Sequence, residues 1–415
     1  MRSLKKWSMI FSTNSSSRIR RAWDLLTLLA LLLLFGCTSW SGGGAEPPEP
    51  EPAAPGKAAM SDGDLIAVLP VENLTGAKAP VQAVEAVLRA QLDRRGIRIV
   101  DTETLAEVME RYRIRNTGSL SSRVFQALTQ ETGATGVLMT SLESFYDDRP
   151  PRIALMSRLV VGGDPQEIAW MNGIGMAGDG HLGLLARGRI RRVDDLLTIA
   201  TRCLADSLAI SFLEPQESDV PESPGQFVEC DSRGDVVYSP SEASGKRQFR
   251  PRKSFGSPIA DARRRYSVAV IPFLNLSQRN NAGTIVGLHF VNQLLRNESL
   301  AVVEPGRVRE KLLEHRIVME AGPSLENAEA LSNDESLGVD LVFSGTVFDY
   351  QDAFGIPKVE FSVTMIEKGS HKVVWSSRSS SGGEEGVLFF DLGKIHTAHQ
   401  LLSEMARGTS EALRQ

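Results

Sequence analysis

The chain has little cysteine, few aromatic residues and no large excess of either charge, and each shortage excludes a class of protein. Its three cysteines, Cys37, Cys203 and Cys230, are too few for a disulfide framework and match no zinc-binding spacing. Aromatic residues make up 6% of the sequence, which disfavours a stacking surface for single-stranded bases. The net charge of −5 leaves no strongly basic domain. We therefore expect no nucleic acid partner.

Cys203 and Cys230 leave two states open. In an oxidising compartment the two thiols can join as a disulfide. Cys203, however, lies in an apolar segment with a helical period, and Cys230 lies in a polar segment. One buried thiol and one solvated thiol explain this placement without a bond, so the sequence favours two free cysteines.

The chain also lacks an apolar run that would span a bilayer comfortably. The run LLTLLALLLLFG at residues 25–36 is only about a dozen residues long, and basic residues precede it. A basic segment followed by a short apolar run is typical of a secretory signal. The sequence does not decide whether the start is Met1 or Met9.

The end of that run, LFGC at residues 34–37, resembles the bacterial lipobox, although Phe35 is bulkier than the usual residue at its position. The resemblance implies that residues 1–36 are a lipoprotein signal peptide and that the thiol of Cys37 is acylated. Several acyl chains on one cysteine hold a protein on a membrane, at about 0.8 kcal/mol for each buried CH₂. Thr38 follows in place of an aspartate, which implies a lipid-anchored protein on the periplasmic face of the outer membrane.

Two similar stretches organise the rest of the chain, IAVLPVENLT at residues 66–75 and VAVIPFLNLS at residues 268–277. After each stretch the hydrophobic pattern predicts the same order of elements: helix, strand, two helices, three strands and a long closing helix. We interpret the chain as a tandem duplication of an α/β domain. In each stretch the asparagine, Asn73 or Asn275, is expected to bond its own turn.

Composition divides the chain into five segments. Residues 1–36 are the signal, and residues 37–63 are a tether rich in Pro, Glu and Gly, with too little apolar content to fold. The two α/β domains occupy residues 64–213 and 266–415. Residues 214–265 between them are rich in Ser, Pro, Glu and Arg, and we expect a disordered linker with a solvated basic end.

Motifs that suggest chemistry are few, and each has a structural explanation. Residues 173–178 fit GxGxxG, but they follow Trp170 inside a predicted strand and do not join a strand to a helix. We therefore expect no nucleotide there. Asp179 and His181 invite a hydrolase or metal hypothesis, but no nucleophile or third ligand stands near them.

His396 and His399 are three residues apart on a predicted helix, a spacing that can share a metal ion. The equivalent positions of the first copy are Arg191 and Asp194, so the pair is interpreted as part of a helix surface. The sequence predicts no catalytic, cofactor-binding or metal-binding residue, and it assigns one site, lipidation at Cys37.

The two anchor stretches, together with TGATGVLMTSLESF at residues 132–145 and LGVDLVFSGTVFDY at residues 337–350, resemble a bacterial envelope group. This group holds the curli-secretion lipoprotein CsgG, the penicillin-binding-protein activator LpoB and the amino-terminal domain of TolB. The resemblance implies two tandem two-layer α/β domains, each a mixed sheet with helices packed on it. Pore-forming members extend two hairpins, but the predicted strand turns here are short, so we expect no pore.

These observations favour a non-enzymatic periplasmic protein, bound to the membrane through a lipid on Cys37. It would bind another envelope component in secretion, surface-structure assembly or wall synthesis, like CsgG but without a pore. The sequence does not identify the protein partner and leaves oligomerisation open. One alternative is an LpoB-like activator of a peptidoglycan synthase. An alternative of another class is a periplasmic hydrolase that uses Asp179 and His181.

Overall fold

Two mixed β-sheets, one in each half of the sequence, form the framework of the protein. The computed structural model describes residues 63–162, 165–180, 189–212, 227–239, 249–257, 264–316, 331, 337–352, 356–368, 370, 372–385, 387 and 394–413. The first half contains the strands β1 (Leu65–Val68), β2 (Glu72–Asn73), β3 (Arg98–Ile99), β4 (Gly136–Tyr146), β5 (Arg152–Val161) and β6 (Glu167–Ala177), and the helices α1 (Val81–Asp93), α2 (Thr102–Arg111), α3 (Ser122–Thr132) and α4 (Val193–Phe212).

The second half has a matching set of elements. It contains β10 (Tyr266–Val270), β11 (Leu274–Asn275), β12 (Leu300–Val302), β13 (Leu341–Gln351), β14 (Lys358–Glu367) and β15 (Val373–Gly382), and the helices α5 (Ala282–Leu294), α6 (Pro305–Glu314) and α7 (Ala398–Leu413). Three short strands, β7 (Phe227–Cys230), β8 (Val236–Ser239) and β9 (Lys253–Gly256), lie between the halves in sequence.

Several predicted features lie outside the described residues. They include Cys37, the signal peptide, most of the tether, His181 and most of residues 324–337, where the pattern predicts the second of the two paired helices in the second copy. Among the residues that the structure describes, no helix combines the length and the apolar character that a membrane crossing requires.

Both sheets have the same strand order. The first has the order β3-β1-β4-β5-β6, with β2 paired to β4, and the second has the order β12-β10-β13-β14-β15-β9, with β11 paired to β13. The strands β1 and β10 run parallel to their neighbours, whereas β4, β5 and β6, like β13, β14 and β15, are antiparallel. The predicted α/β class with a mixed sheet is therefore confirmed.

Side chains alternate across β1 and supply two cores. Ile66 and Val68 pack into a core with α1 and α4, whereas Ala67 and Leu69 pack into a core with α2 and α3. Both faces of a strand are covered, so its apolar residues run continuously. The second sheet repeats this, because α5 and α7 pack on one face and α6 on the other. Helices thus lie on both faces of each sheet and add a layer to the two that were predicted.

The predicted Asn73 and Asn275 turns are confirmed. Asn73 Oδ1 accepts a hydrogen bond from the Thr75 backbone N–H at 3.0 Å, and Asn275 Oδ1 accepts one from the Ser277 N–H at 3.1 Å. The side chain of Ser121 accepts a hydrogen bond from the Val124 N–H and so caps α3. Short-range hydrogen bonds of this kind depend on neighbouring residues alone, which is why the sequence predicts them.

The structure corrects the expectation of a disordered linker for β7, β8 and β9. The strands β7 and β8 pair as a hairpin, and Asp231 Oδ1 holds its turn by accepting hydrogen bonds from the N–H groups of Arg233 and Asp235 at 2.7 and 3.0 Å. The strand β9 pairs with β15. Strands of four residues are too short to show a clear hydrophobic period, and the elements that they contact are distant in sequence. The sequence therefore did not reveal these three strands.

The preference for two free cysteines is also wrong. Cys203 of α4 and Cys230 of β7 form a disulfide, with their Cα atoms 5.9 Å apart. Glu229, next to the disulfide, forms salt bridges with Arg296 and Arg407 of the second half. The distance from Arg407 Nη2 to Glu229 Oε2 is 3.0 Å. The hairpin therefore lies against both halves of the chain. The polar composition of residues 214–265 did not indicate this contact.

The helices α5 and α7 lie between the two sheets. Every residue of α5 except Thr284 is buried, and Leu74, Met156 and Met171 of the first half share its core. On α7, Gln400 Nε2 donates a hydrogen bond to the carbonyl oxygen of Gly175 in β6 at 2.8 Å. A helix that is apolar all round must be covered on all sides. The first sheet supplies that cover, so the two halves share an extensive interface.

Candidate functional site

Three elements meet at a buried polar cluster in this interface: β4 of the first half and α5 and α7 of the second. The pairing of β4 with β5 shifts between Leu142 and Ser144, which leaves Glu143 as the extra residue of a bulge. A bulge re-aims a side chain, and here the Glu143 carboxylate meets His289 of α5 and His399 of α7. We call Glu143, His289 and His399 the interface triad.

The interface triad is compact and hidden from solvent. Glu143 Oε2 lies 2.6 Å from His399 Nδ1 and 3.3 Å from His289 Nε2. The centroids of the two imidazole rings are 4.5 Å apart, with one ring edge facing the other. The other nitrogen of His289, Nδ1, is hydrogen-bonded to Ser403 Oγ at 3.0 Å. Glu143 and His289 are each 1% exposed and His399 is 4% exposed.

Burial and the two imidazoles act in opposite directions on the Glu143 carboxyl. Burial by itself raises the pKa of the Glu143 carboxyl, but the two imidazoles outweigh burial and hold that pKa well below its ordinary range. Burial lowers the pKa of His289, and the neighbouring Glu143 opposes this effect. The site thus favours an ionised carboxylate beside imidazole nitrogens. The second carboxylate oxygen, Oε1, is buried and has no hydrogen-bond partner among the described residues.

Arginine and aspartate side chains brace the same junction. Arg279 Nη2 donates to the backbone oxygen of Glu143 at 2.6 Å, and its Nη1 donates to the oxygen of Leu74 at 3.2 Å. Arg152 Nη1 donates to the backbone oxygen of Asp352 at 3.0 Å. Asp352 Oδ1 accepts from the N–H of Ala398 at the start of α7 at 3.1 Å, and burial raises the pKa of this carboxyl. These bonds position β4 and α7 around the triad.

The glycines of the GxGxxG stretch have a packing role. A Cβ atom at Gly173 would lie 2.8 Å from His399 Cε1, and one at Gly175 would lie 2.7 Å from Thr397 Oγ1. Both glycines lie in β6, in antiparallel pairing with β5. Because Gly173 and Gly175 have no side chains, α7 can approach the sheet closely. This agrees with the interpretation of the stretch as part of a strand.

The predicted candidate residues are only partly brought together. Asp179 Oδ1 lies 3.2 Å from His396 Nδ1, and this contact is the first cause of the lowered pKa of Asp179, while its partial burial works in the opposite direction. His396 and His399 contact different carboxylates, Asp179 and Glu143, so they do not share a ligand position. His181 lies outside the described residues, and the predicted Asp179 and His181 pair stays untested.

Glu143 and His289 were missed by sequence reasoning. Both stand out as charged or titratable residues inside apolar segments, Glu143 in GVLMTSLESFY and His289 in AGTIVGLHFVNQL. A charged residue is rarely fully buried without a partner, so each signal points to a partner elsewhere. Neither segment indicates which residue is that partner.

A second buried ion pair joins the halves away from the triad. Arg158 Nη2 of β5 lies 3.2 Å from Glu304 Oε1, and the side chains are 2% and 0% exposed. Glu304 Oε2 also accepts hydrogen bonds from the N–H groups of Gly306 and Arg307 at 2.5 and 3.1 Å, and so caps α6. One carboxylate thus serves a helix end and the interface.

The sequence matches no protein-family model and no curated protein. Solved structures with partial likeness include the PelC dodecamer from Paraburkholderia phytofirmans, at 18% identity and a TM-score of 0.25, which covers 38% of this chain and 96% of that chain. Lipoprotein GNA1162 from Neisseria meningitidis has 20% identity and a TM-score of 0.25, covering 28% and 82%. LpoB from E. coli has 16% identity and a TM-score of 0.23, covering 41% and 86%. Likeness at this level assigns neither a family nor a function.

Proposed function

We propose that this chain is a non-enzymatic lipoprotein of the bacterial outer membrane that faces the periplasm and binds another envelope protein. The observation that carries the proposal is the disulfide between Cys203 and Cys230. Disulfides persist in oxidising compartments such as the periplasm and are rare in the cytosol. This agrees with the basic and apolar leader that ends at Cys37, because a disulfide and such a leader are both typical of exported chains.

The surface that we assign to the protein partner is the free side of β9. All four residues of β9 are exposed, and among the described residues no strand pairs with the side that faces away from β15. A free edge offers backbone N–H and C=O groups to an extended segment of another protein. Phe255 on this strand is 58% exposed and adds an apolar contact. The occupant is then a β-strand from an envelope partner.

The common strand order of the two sheets and the equal Asn73 and Asn275 turns support descent from a tandem duplication. We place the chain with the CsgG, LpoB and TolB amino-terminal group on these grounds together with the motifs at residues 132–145 and 337–350. In this proposal the first half covers the helices of the second, and β9 is the edge strand whose residues are all exposed to a partner.

The anchor is tested by Cys37→Ser in the native host. We expect the wild-type chain to fractionate with the outer membrane and the variant to lose membrane association or stay unprocessed, because no thiol is left for acylation. Globomycin should cause accumulation of the unprocessed wild-type chain. A Cys37→Ser chain that is processed and fractionates with the outer membrane as the wild type does would contradict the lipid anchor.

The partner is tested by placing a photoreactive phenylalanine at Phe255 in the intact envelope. A matched control carries the same group at Leu313, which is 54% exposed on α6. We expect one discrete crosslinked protein from position 255 and none from position 313. The same product from both positions, or none from either, would reject β9 as the binding edge.

The identity of the crosslinked protein separates the alternatives. A peptidoglycan synthase would favour the LpoB-like activator, whereas a secretion component would favour the CsgG-like role. The hydrolase alternative is tested by substitution of His181. If the chain is a binding protein, His181→Ala leaves the envelope phenotype unchanged, and loss of that phenotype in a folded variant would favour the enzyme.

A further inference from the structure

The interface triad is a donor set that fits a metal ion. Glu143, His289 and His399 each offer one ligand atom, and these atoms lie within 4.8 Å of one another. Two imidazoles with one carboxylate are a common ligand set for Zn²⁺ and are accepted by other divalent first-row transition metals. Mg²⁺ and Ca²⁺ prefer oxygen ligands, so a site with two nitrogen donors disfavours them.

A second observation points to a ligand at the same place. Glu143 Oε1 is buried and has no hydrogen-bond partner among the described residues, although the side chain is only 1% exposed. Buried polar atoms are nearly always bonded, and an unbonded carboxylate oxygen in particular calls for a reason. A cation bound by both oxygens of the carboxylate would give Oε1 the missing interaction.

The surroundings already orient the ligands. Ser403 Oγ is bonded to Nδ1 of His289 at 3.0 Å, which leaves Nε2 directed at Glu143. Hydrogen bonds of this kind on the far nitrogen of a histidine ligand fix its orientation. Arg279 holds the backbone of Glu143 through its carbonyl oxygen. The three ligands come from a strand and two helices, which are rigid supports.

The donor atoms lie within 4.8 Å of one another, and the closest pair must separate to admit an ion. Two ligand atoms on tetrahedral zinc, with bonds of roughly 2.0–2.1 Å, lie about 3.3 Å apart. His289 Nε2 and Glu143 Oε2 are 3.3 Å apart already. His399 Nδ1 is 2.6 Å from the same oxygen and must therefore move away by about 0.7 Å, which a rotation of its ring can supply.

We propose that Glu143, His289 and His399 bind one divalent transition-metal ion, zinc foremost, which joins the two halves of the chain. The first half contributes the carboxylate and the second half contributes both imidazoles, so the ion links β4 to α5 and α7. This proposal is independent of the proposed function and departs from the expectation that the chain holds no metal.

The test uses the full chain purified in detergent, stripped with a chelator and then dialysed against zinc chloride or cobalt chloride. We expect about one equivalent of bound zinc by elemental mass spectrometry and, with cobalt, the visible absorption of a tetrahedral site. Glu143→Gln and His289→Asn should each weaken zinc binding at least tenfold. His396→Gln removes a histidine outside the triad and should bind zinc like the wild type.

Circular dichroism checks that each variant folds, and the wild-type protein gives an answer that needs no variant. X-ray absorption of its bound zinc should show two imidazoles and oxygen, without sulfur. A wild-type chain that binds no zinc at micromolar free metal would overturn the proposal, as would zinc ligated by sulfur. Unchanged zinc affinity in folded Glu143→Gln and His289→Asn would overturn it equally.

Discussion

At the scale of single residues, charged side chains with almost no exposure connect the two halves. Arg158 of β5 and Glu304 of the second half are 2% and 0% exposed, and they meet at 3.2 Å. The desolvation penalty of such a pair offsets much of its attraction, but a lone buried charge has no compensation. The pair therefore matters most when only one member is removed.

We expect Arg158→Met to lower the free energy of unfolding by about 3–5 kcal/mol, because Glu304 is left buried without its cation. The double variant Arg158→Met with Glu304→Gln should lose less, since Gln keeps an acceptor for the Gly306 and Arg307 N–H groups. Denaturant unfolding of the wild type, both single variants and the double variant measures the coupling. Additive losses in this cycle would show that the pair does not interact.

The contribution of Asp352 to stability depends on pH, and its sign is opposite to that of a salt-bridged carboxylate. Burial raises its pKa above the usual 3.8, partly against the hydrogen bond from Ala398 N–H. A carboxyl with a raised pKa contributes stability that is complete below the unfolded pKa and is lost as the pH rises through the folded pKa. Burial therefore disfavours the ionised form of Asp352 in the folded protein.

We expect Asp352→Asn to gain stability relative to the wild type as the pH rises from about 4 to about 8, because the amide cannot ionise and still accepts from Ala398 N–H. Asp352→Ala loses that acceptor at the start of α7 and should be less stable by about 1 kcal/mol at low pH. Urea titrations at several pH values test both. A stability difference between Asp352→Asn and wild type that stays constant with pH would refute the raised pKa.

At the scale of elements, α5 shows how close packing selects glycine. A Cβ atom at Gly283 would lie 2.0 Å from the carbonyl oxygen of Phe273, whereas one at Gly287 would have its nearest neighbour, Pro272 Cα, at 3.9 Å. Both glycines are in the same helix, and both are buried. They form a matched pair in which only the available space differs.

We expect Gly283→Ala to destabilise the protein by about 1–3 kcal/mol, because the backbone of Phe273 must move. Gly287→Ala should instead stabilise it by about 0.5–1 kcal/mol, since alanine favours the helix and fits the space. Thermal unfolding of the two variants beside the wild type measures the difference. Equal effects of the two substitutions would contradict the packing at Gly283.

The disulfide fastens the β7–β8 hairpin to α4. It closes a loop between residues separated by 27 positions, and loop closure of this length stabilises by about 3.5 kcal/mol in the chain-entropy model. We expect the double variant Cys203→Ala with Cys230→Ala to lose stability of this order. Unfolding of oxidised and reduced wild-type protein gives the comparison, and Cys37→Ser serves as the control. A reductant that leaves the wild-type unfolding curve unchanged would argue against the bond.

At the scale of the whole molecule, the halves have the same strand order but different surroundings. In the first half α1 buries one side, at Val84, Leu88, Gln91 and Leu92, whereas in the second half the equivalent α5 is covered all round. The first sheet covers the side of α5 that corresponds to the solvent-exposed side of α1. Two halves with the same strand order thus form an asymmetric molecule, and β9 extends only the second sheet.

The close approach of α7 to β6 should therefore control how well the backbone amides of α5 are protected from hydrogen exchange. We expect Gly175→Val to push α7 away, because a Cβ at this position already meets Thr397 Oγ1 at 2.7 Å, and to speed hydrogen exchange in α5 and α7 but not in α1. Gly382→Val is the control, since its nearest contact is 3.8 Å away. Exchange in α5 that is as slow as in the wild type would show that the first half does not cover it.

The sequence by itself determined the α/β class, the matching order of elements in the two halves and the Asn73 and Asn275 turns. These depend on hydrophobic period and on hydrogen bonds between near neighbours. Only the tertiary structure decided that Glu143 meets His289 and His399, and that Cys203 bonds to Cys230. A pattern along one strand or helix shows that a buried charge or thiol needs a partner, but it contains no information about which distant element will supply it.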